Sequence, residues 1–132
     1  MTLTGRFIEE LTWPEVAEAF RADMPVVLPI GAAAKEHGHH LPMKTDWLLA
    51  RALADGIAAR LPVLIAPIVP FGYYPVFRTY PGSQHLSAGT FVRLLTELLE
   101  GYIDQGARRL AIVNTGVSTE APIGLATRTV LE

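Results

Sequence analysis

The chain has 132 residues, of which 50% are hydrophobic and 18% are charged, with a formal net charge of -2 and no cysteine. This length suits one domain with one core, and the lack of cysteine excludes disulfide bonds, thiolate metal ligands and cysteine nucleophiles. The scattered charge carries no signature of nucleic-acid or anionic-membrane binding. Because no apolar run approaches the ~20 residues that span a bilayer, and no secretory signal is present, we expect a soluble, cytoplasmic protein.

The first predicted elements are a short helix and a buried strand. Thr12, Pro14 and Glu15 have the pattern of a capping box with proline in the first turn, and predict a helix that reaches about residue 22. Continuous apolar runs are typical of strands that are covered on both faces. Such runs occupy residues 25–30, 63–66 and 110–113.

Three further helices are predicted between and after these strands. One runs from Asp46 to about residue 61, and its acidic start suits the helix dipole. A second begins near Ser87 or Thr90 and ends at Gly106, and a third occupies about residues 119–132. For the helix that begins at Asp46, we expect one core-facing stripe made of Leu48, Leu49, Ala52, Leu53, Ile57 and Leu61.

Apolar strands that alternate with helices indicate an α/β fold with a parallel sheet and helices on both faces. In such sheets, ligands bind beyond the carboxyl ends of the strands. Three segments leave those ends, at residues 31–45, 67–85 and 114–118. The histidines and most of the unusual polar residues lie in these segments, so the strand ends are the expected functional site.

The segment after the first apolar run contains three of the four histidines. Glu36, His37, His39, His40 and Asp46 place five nitrogen or oxygen ligands in one strand-to-helix loop, a set that suits zinc, manganese or iron. A solvated surface loop is the alternative. The clustering of three imidazoles between carboxylates favours the metal site.

The same loop resembles the first metal motif of the creatininase (creatinine amidohydrolase) family, Pro-Val-Gly-Ser-x-Glu-Gln-His-Gly-Pro-His-Leu-Pro-Leu-x-Thr-Asp. Residues 29–31 read Pro-Ile-Gly, residues 37–42 read His-Gly-His-His-Leu-Pro, and Thr-Asp follows at residues 45–46. Residues 80–83, Tyr-Pro-Gly-Ser, are similar to the family's Phe-Pro-Gly-Thr segment. The resemblance covers almost the whole chain in the right order.

The resemblance implies a three-layer α/β/α sandwich with a mainly parallel sheet and a two-metal centre of zinc or manganese. By that resemblance His37 would ligate one metal and Asp46 would bridge both. The family's glutamate stands two residues before the histidine, where this chain has Lys35, and a local bulge would bring the neighbouring Glu36 into the ligand position. His40 or His39 would assist by hydrogen bonding or proton transfer.

The chain departs from the family in its second motif, Asn-Gly-His-x-Gly/Glu-Asn. Asn114 matches the motif. However, Gly116 occupies the position of the motif's histidine, and Ser118 occupies the position of the glutamate that creatininase uses. Family members also continue beyond this length. Residues 1–132 are therefore expected to form a single creatininase-like domain, truncated relative to the family and with an incomplete sheet.

Two functions follow from this comparison. The first is a metal-dependent hydrolase that cleaves a C–N amide bond of a small molecule through metal-activated water, in a homo-oligomer like those of the family. The alternative is a catalytically inactive creatininase-like module that acts in binding or oligomeric assembly, which the altered second motif favours. A nucleotide-binding domain is least favoured, because no glycine-rich phosphate loop follows a predicted strand.

Overall fold

The computed structural model describes residues 4–132 and confirms the α/β class. Among these residues, no helix combines the length and the apolar character that a membrane crossing requires. The strands are β1 (Arg6–Phe7), β2 (Val26–Ile30), β3 (Leu64–Ile65) and β4 (Leu110–Asn114). The helices are α1 (Trp13–Arg21), α2 (Thr45–Arg60), α3 (Ala88–Asp104) and α4 (Glu120–Leu131), with single 3₁₀ turns at Ile8–Glu10 and Pro75–Phe77.

The four described strands form one parallel sheet in the order β1-β3-β2-β4. Val26 of β2 lies opposite Leu64 on one side and Leu110 on the other. All five residues of β2 are buried, as the continuous apolar run predicts for a strand that is covered on both faces. Strand β1 was not predicted, because a two-residue strand is too short to have a detectable period.

Helices cover both faces of the sheet and give the three-layer α/β/α arrangement. Helix α2 packs alone on one face, where Ala54 and Ala58 meet Val27 and Ile65. On the opposite face, the core is built by side chains of the sheet and of α1, α3 and α4. Its members include Leu28, Ile30 and Leu64 from the sheet, with Phe20, Phe91, Leu95, Leu99 and Ala126 from the helices.

The predicted core face of α2 is wrong, except that Ile57 packs against the core. Its buried positions are Asp46, Ala50, Ala54 and Ala58. Small alanine side chains let this helix lie close to the sheet, so the larger side chains turn outward. Leu48, Leu49 and Leu53 are instead 44%, 49% and 42% exposed.

The predicted capping box of α1 is confirmed and is extended by an arginine from β1. The backbone N–H of Thr12 donates to Oε1 of Glu15 at 3.0 Å, and the Thr12 hydroxyl donates to the same oxygen at 2.8 Å. Arg6 donates to the other carboxylate oxygen at 2.8 Å. These bonds, the backbone one first, lower the pKa of Glu15 from 4.5 to about 2.

We therefore predict an acid-sensitive contribution of Glu15 to the free energy of unfolding. Because the folded-state pKa lies below the unfolded value, the ionised carboxylate stabilises the fold above about pH 5, and the contribution fades as the pH falls towards about 2. Urea unfolding of the wild-type chain and of Glu15→Gln between pH 7 and pH 2 measures it. The two curves should converge in acid, and a pH-independent difference would contradict the assignment.

Candidate functional site

The carboxyl ends of β2 and β4 and the loop after β3 enclose one small cavity. Its wall is formed by residues from all three segments that the topology predicted to meet. The lining residues are Gly31, Ala32 and Lys35 from the first segment, with Ile30 before it and Asp46 after it, Phe71, Gly72 and Tyr74 from the second, and Asn114, Thr115 and Gly116 from the third, with Thr119 after it. The predicted meeting of these segments is confirmed.

A close approach between β2 and α2 places Asp46 at this cavity. A Cβ atom on Gly31 would lie 2.4 Å from the backbone oxygen of Asp46 and 2.7 Å from Cβ of Ala50. The backbone N–H of Trp47 donates to the carbonyl of Ala32 at 3.0 Å and joins the first turn of the helix to the strand end. Only glycine at position 31 allows this contact, which turns Asp46 towards the strand ends.

The Asp46 carboxylate is buried and is held by two neighbours. The Lys35 ammonium Nζ lies 2.6 Å from Oδ2, and Nε2 of His37 lies 3.1 Å from Oδ1. Lys35 and Asp46 are only 9% and 8% exposed. A buried charge is costly unless it is paired. Loss of either group would therefore leave the other as an unpaired buried charge.

Aromatic rings from the loop after β3 close over Lys35. Its Nζ lies 5.5 Å from the ring centre of Tyr74 and 5.3 Å from that of Phe77, within the range of cation–π attraction. Burial raises the pKa of the Tyr74 phenol, against the lowering effect of a hydrogen bond from the Gly72 backbone, and the Asp46 charge adds to the rise. Tyr74 is therefore a neutral hydroxyl beside an ion pair.

His37 joins the ion pair to the loop backbone. Its Nδ1 lies 3.0 Å from the carbonyl oxygen of Lys35, which can only accept, so Nδ1 carries a proton. The other nitrogen, Nε2, faces the Asp46 carboxylate. If the ring is charged, Nε2 donates a hydrogen bond to Oδ1 of Asp46. If the ring is neutral, the Nε2 lone pair and the carboxylate face each other, as two ligands of one metal ion do.

The other predicted site residues lie away from this pair. The Glu36 carboxylate turns back and accepts from the backbone N–H of Gly38, while the Glu36 N–H donates to the Ser83 hydroxyl at 3.1 Å. His39 and His40 are exposed. The structure therefore brings together His37 and Asp46 but not Glu36, His39 or His40, whose assigned roles stay predictions.

The segment after β4 forms a self-contained turn. The side-chain oxygen of Asn114 accepts from the Gly116 N–H at 3.0 Å and from the Thr119 hydroxyl at 2.7 Å, and its amide donates to the Gly116 carbonyl at 2.6 Å. The Ser118 hydroxyl donates to the carbonyl of Tyr73 at 2.7 Å. These polar groups satisfy one another, and none is a typical ligand of zinc or manganese.

The residues around Asp46 do not fit a divalent metal as they are arranged here. Within residues 4–132, no three side chains of histidine, cysteine, aspartate or glutamate converge. A zinc site normally takes at least three protein ligands, and this one offers His37 and Asp46 only. The third neighbour is the Lys35 ammonium, a cation. For Glu36, His37 and Asp46 to bind one metal ion together, the Glu36 carboxylate would have to give up its hydrogen bond from the Gly38 N–H.

Lys35 was not predicted as a site residue. Lys35 was noted only as a departure from a motif, and a lysine in a polar loop is usually solvated. A buried lysine needs a partner charge and a covering surface, and here these come from Asp46, eleven residues later, and from aromatic rings beyond β3. The one available signal was the acidic residue at the start of the following helix.

A family model and individual relatives both match this chain. The creatininase family model, described as creatinine amidohydrolase, matches residues 9–132. Creatinine amidohydrolase of Pseudomonas putida is 32% identical over 114 residues, which are 82% of this chain and 44% of that protein. A mycofactocin precursor peptide peptidase of Mycobacterium tuberculosis is 33% identical over 118 residues, covering 76% of this chain and 45% of that protein.

A solved structure shares the fold closely. A manganese form of creatininase matches with a TM-score of 0.89 at 30% identity, over 95% of this chain and 51% of that chain. The chain therefore spans about half the length of the proteins it matches.

Gly31→Ala tests the contact that positions Asp46. The added methyl overlaps the backbone of α2, so we expect a loss of about 1–3 kcal/mol in the free energy of unfolding. Chemical denaturation measures this loss. Gly89→Ala is the control, because a Cβ at that helical position meets no atom within 4 Å. Equal stability of the two variants would contradict the contact.

Proposed function

The chain belongs to the creatininase family, and we propose that it is a catalytically silent member that acts in assembly. Family membership supports a metal-dependent amidohydrolase as the general type, and a divalent metal accompanies the fold in a solved relative. The observation that carries the proposal is the ligand set of this chain. Among residues 4–132, only His37 and Asp46 lie together at the strand ends, and Gly116 and Ser118 hold the second-motif positions.

The chemistry of the site favours this proposal. Metal-assisted hydrolysis needs a cation held by several fixed ligands, with one open position for water. Here the Asp46 carboxylate is already neutralised by Lys35, and the side-chain oxygen of Asn114 already accepts from Gly116 and Thr119. Side chains that bond to one another are not free to hold a cation.

A metal-dependent amidohydrolase is the second candidate, and the retained His37–Asp46 pair favours it. Its ligands would be Glu36, His37 and Asp46 around zinc or manganese, with His40 or His39 moving a proton. A bound metal would supply an activated water and polarise an amide carbonyl. The substrate would be a small molecule or peptide with a C–N amide bond, since the matched relatives are named for creatinine and for a precursor peptide.

Metal content and amide hydrolysis distinguish the two candidates. The wild-type chain, purified after growth with added zinc or manganese, should hold metal well below one ion per chain, no more than His37→Ala does. Neither protein should hydrolyse creatinine or a peptide amide. Stoichiometric metal that is lost in His37→Ala, together with turnover, would overturn the silent assignment in favour of the hydrolase.

The edge strand β4 is the surface that we propose for assembly with a second copy of this chain. Among the described strands, only β2 pairs with it. The Arg109 carbonyl and the Thr115 N–H bond to β2, so by alternation the backbone groups of Leu110 and Ile112 point away from β2. A hollow beside this edge is lined by Ile103, Ile123, Val130 and Leu131, together with Arg108, Arg109 and Thr127.

A second copy suits this edge, because a two-fold axis pairs one strand with itself in antiparallel orientation. Such pairing centred on Ile112 keeps Arg108 and Arg109 of each copy at opposite ends of the contact. It would pair the backbone groups of Leu110 and Ile112 and cover the hollow. Such pairing lowers the risk of aggregation that unpaired strand edges carry. The proposed oligomer is therefore a dimer with a continuous sheet.

Two substitutions on α3 test the dimer. Ile103 and Leu98 are 42% and 39% exposed on the same helix, but only Ile103 lines the hollow beside β4. Light scattering or sedimentation should give a dimer for the wild-type chain and for Leu98→Lys, and a monomer for Ile103→Lys. A monomeric wild-type chain, or equal loss of the dimer in both variants, would contradict the surface.

A further inference from the structure

We propose that the Lys35 ammonium occupies the place of a divalent cation at Asp46, so that this site is held together by an internal cation. The inference deepens the silent assignment proposed above, and it concerns how the site excludes a metal. It makes position 35 the switch between a lysine-bridged site and a metal-bound one. Three features of Lys35 support this role: its contact with Asp46, its confinement and its position in the motif.

The contact places the ammonium where a ligated ion would lie. Nζ lies 2.6 Å from Oδ2 of Asp46, a short charge-assisted bond. The other oxygen of the same carboxylate faces Nε2 of His37 at 3.1 Å. The carboxylate is therefore engaged through both oxygens, one by a cation and one by an imidazole.

The ammonium is also confined. The backbone N–H of Lys35 donates to the Met43 carbonyl at 3.0 Å, which fixes the start of the side chain. The rings of Tyr74 and Phe77 cover Nζ, and the residue is 9% exposed. A divalent ion at Asp46 would meet a second cation within a few ångströms in a poorly hydrated site, where repulsion is strong. Metal entry therefore requires Lys35 to leave.

The position in the motif indicates what Lys35 replaces. It stands two residues before His37, where the family has a glutamate. A carboxylate at position 35, together with His37 and Asp46, would complete three ligands at one point. A single change of charge at this position should therefore create a metal site that the wild-type chain lacks.

Lys35→Glu and Lys35→His test this inference. Without metal, Lys35→Glu should melt below the wild-type chain, because two carboxylates then share a buried site. Zinc at about a hundred times the dissociation constant should raise its melting temperature by about 5–10 °C, and should leave the wild-type chain unchanged. Equilibrium dialysis should give one zinc per chain for the variant.

Controls and a second variant make each outcome decisive. Lys44→Glu makes the same charge change on an exposed residue of the same loop and should gain no zinc. Lys35→His/Asp46→Asn should lose the zinc that Lys35→His gains. If Lys35→Glu does not fold, Lys35→His decides, since a neutral imidazole adds a ligand without repulsion.

The outcomes also separate this inference from the silent assignment. Stoichiometric zinc on the wild-type chain would overturn both. A metal-free wild-type chain whose folded position-35 variants also take up no zinc would overturn the role of Lys35 alone, and would leave the silent assignment standing.

Discussion

A buried carboxylate that must be neutralised is the constraint on which the strand-end site depends. Asp46 opens α2 and is turned inward by the contact between that helix and Gly31. Leaving such a charge without a partner costs about 3–5 kcal/mol, so the surrounding loops are arranged to supply one. Lys35 brings the charge, Nε2 of His37 lies beside the second oxygen, and the Tyr74 and Phe77 rings cover the ammonium.

The same contact explains the packing of the layer formed by α2. Because the start of α2 lies against the end of β2, only small side chains fit between this helix and the sheet, and Ala50, Ala54 and Ala58 occupy those positions. The leucines that would form the core face of an ordinary amphipathic helix are left at the surface. Close packing against the sheet, and not hydrophobicity alone, selects the buried face.

Much of the candidate site followed from the order of residues along the chain. Parallel strands bring their carboxyl ends to one edge, which is why segments after β2, β3 and β4 meet around Asp46. The nearness of His37 to Asp46 agrees with the motif spacing. Glu36 was expected to join them, but its carboxylate turns back and accepts from the Gly38 N–H. In such a loop, a side-chain oxygen can bond to a backbone N–H two residues later.

By itself, the sequence determined what depends on local pattern: buried strands from continuous apolar runs, the capping box at Thr12 and Glu15, the α/β alternation and the family motif around His37. Only the tertiary structure decided which side chains are buried and paired. The bond between Lys35 and Asp46 depends on the approach of two elements and on rings from a distant loop. Because burial turns an ordinary lysine into a required counter-ion, its role emerges only once the chain is folded.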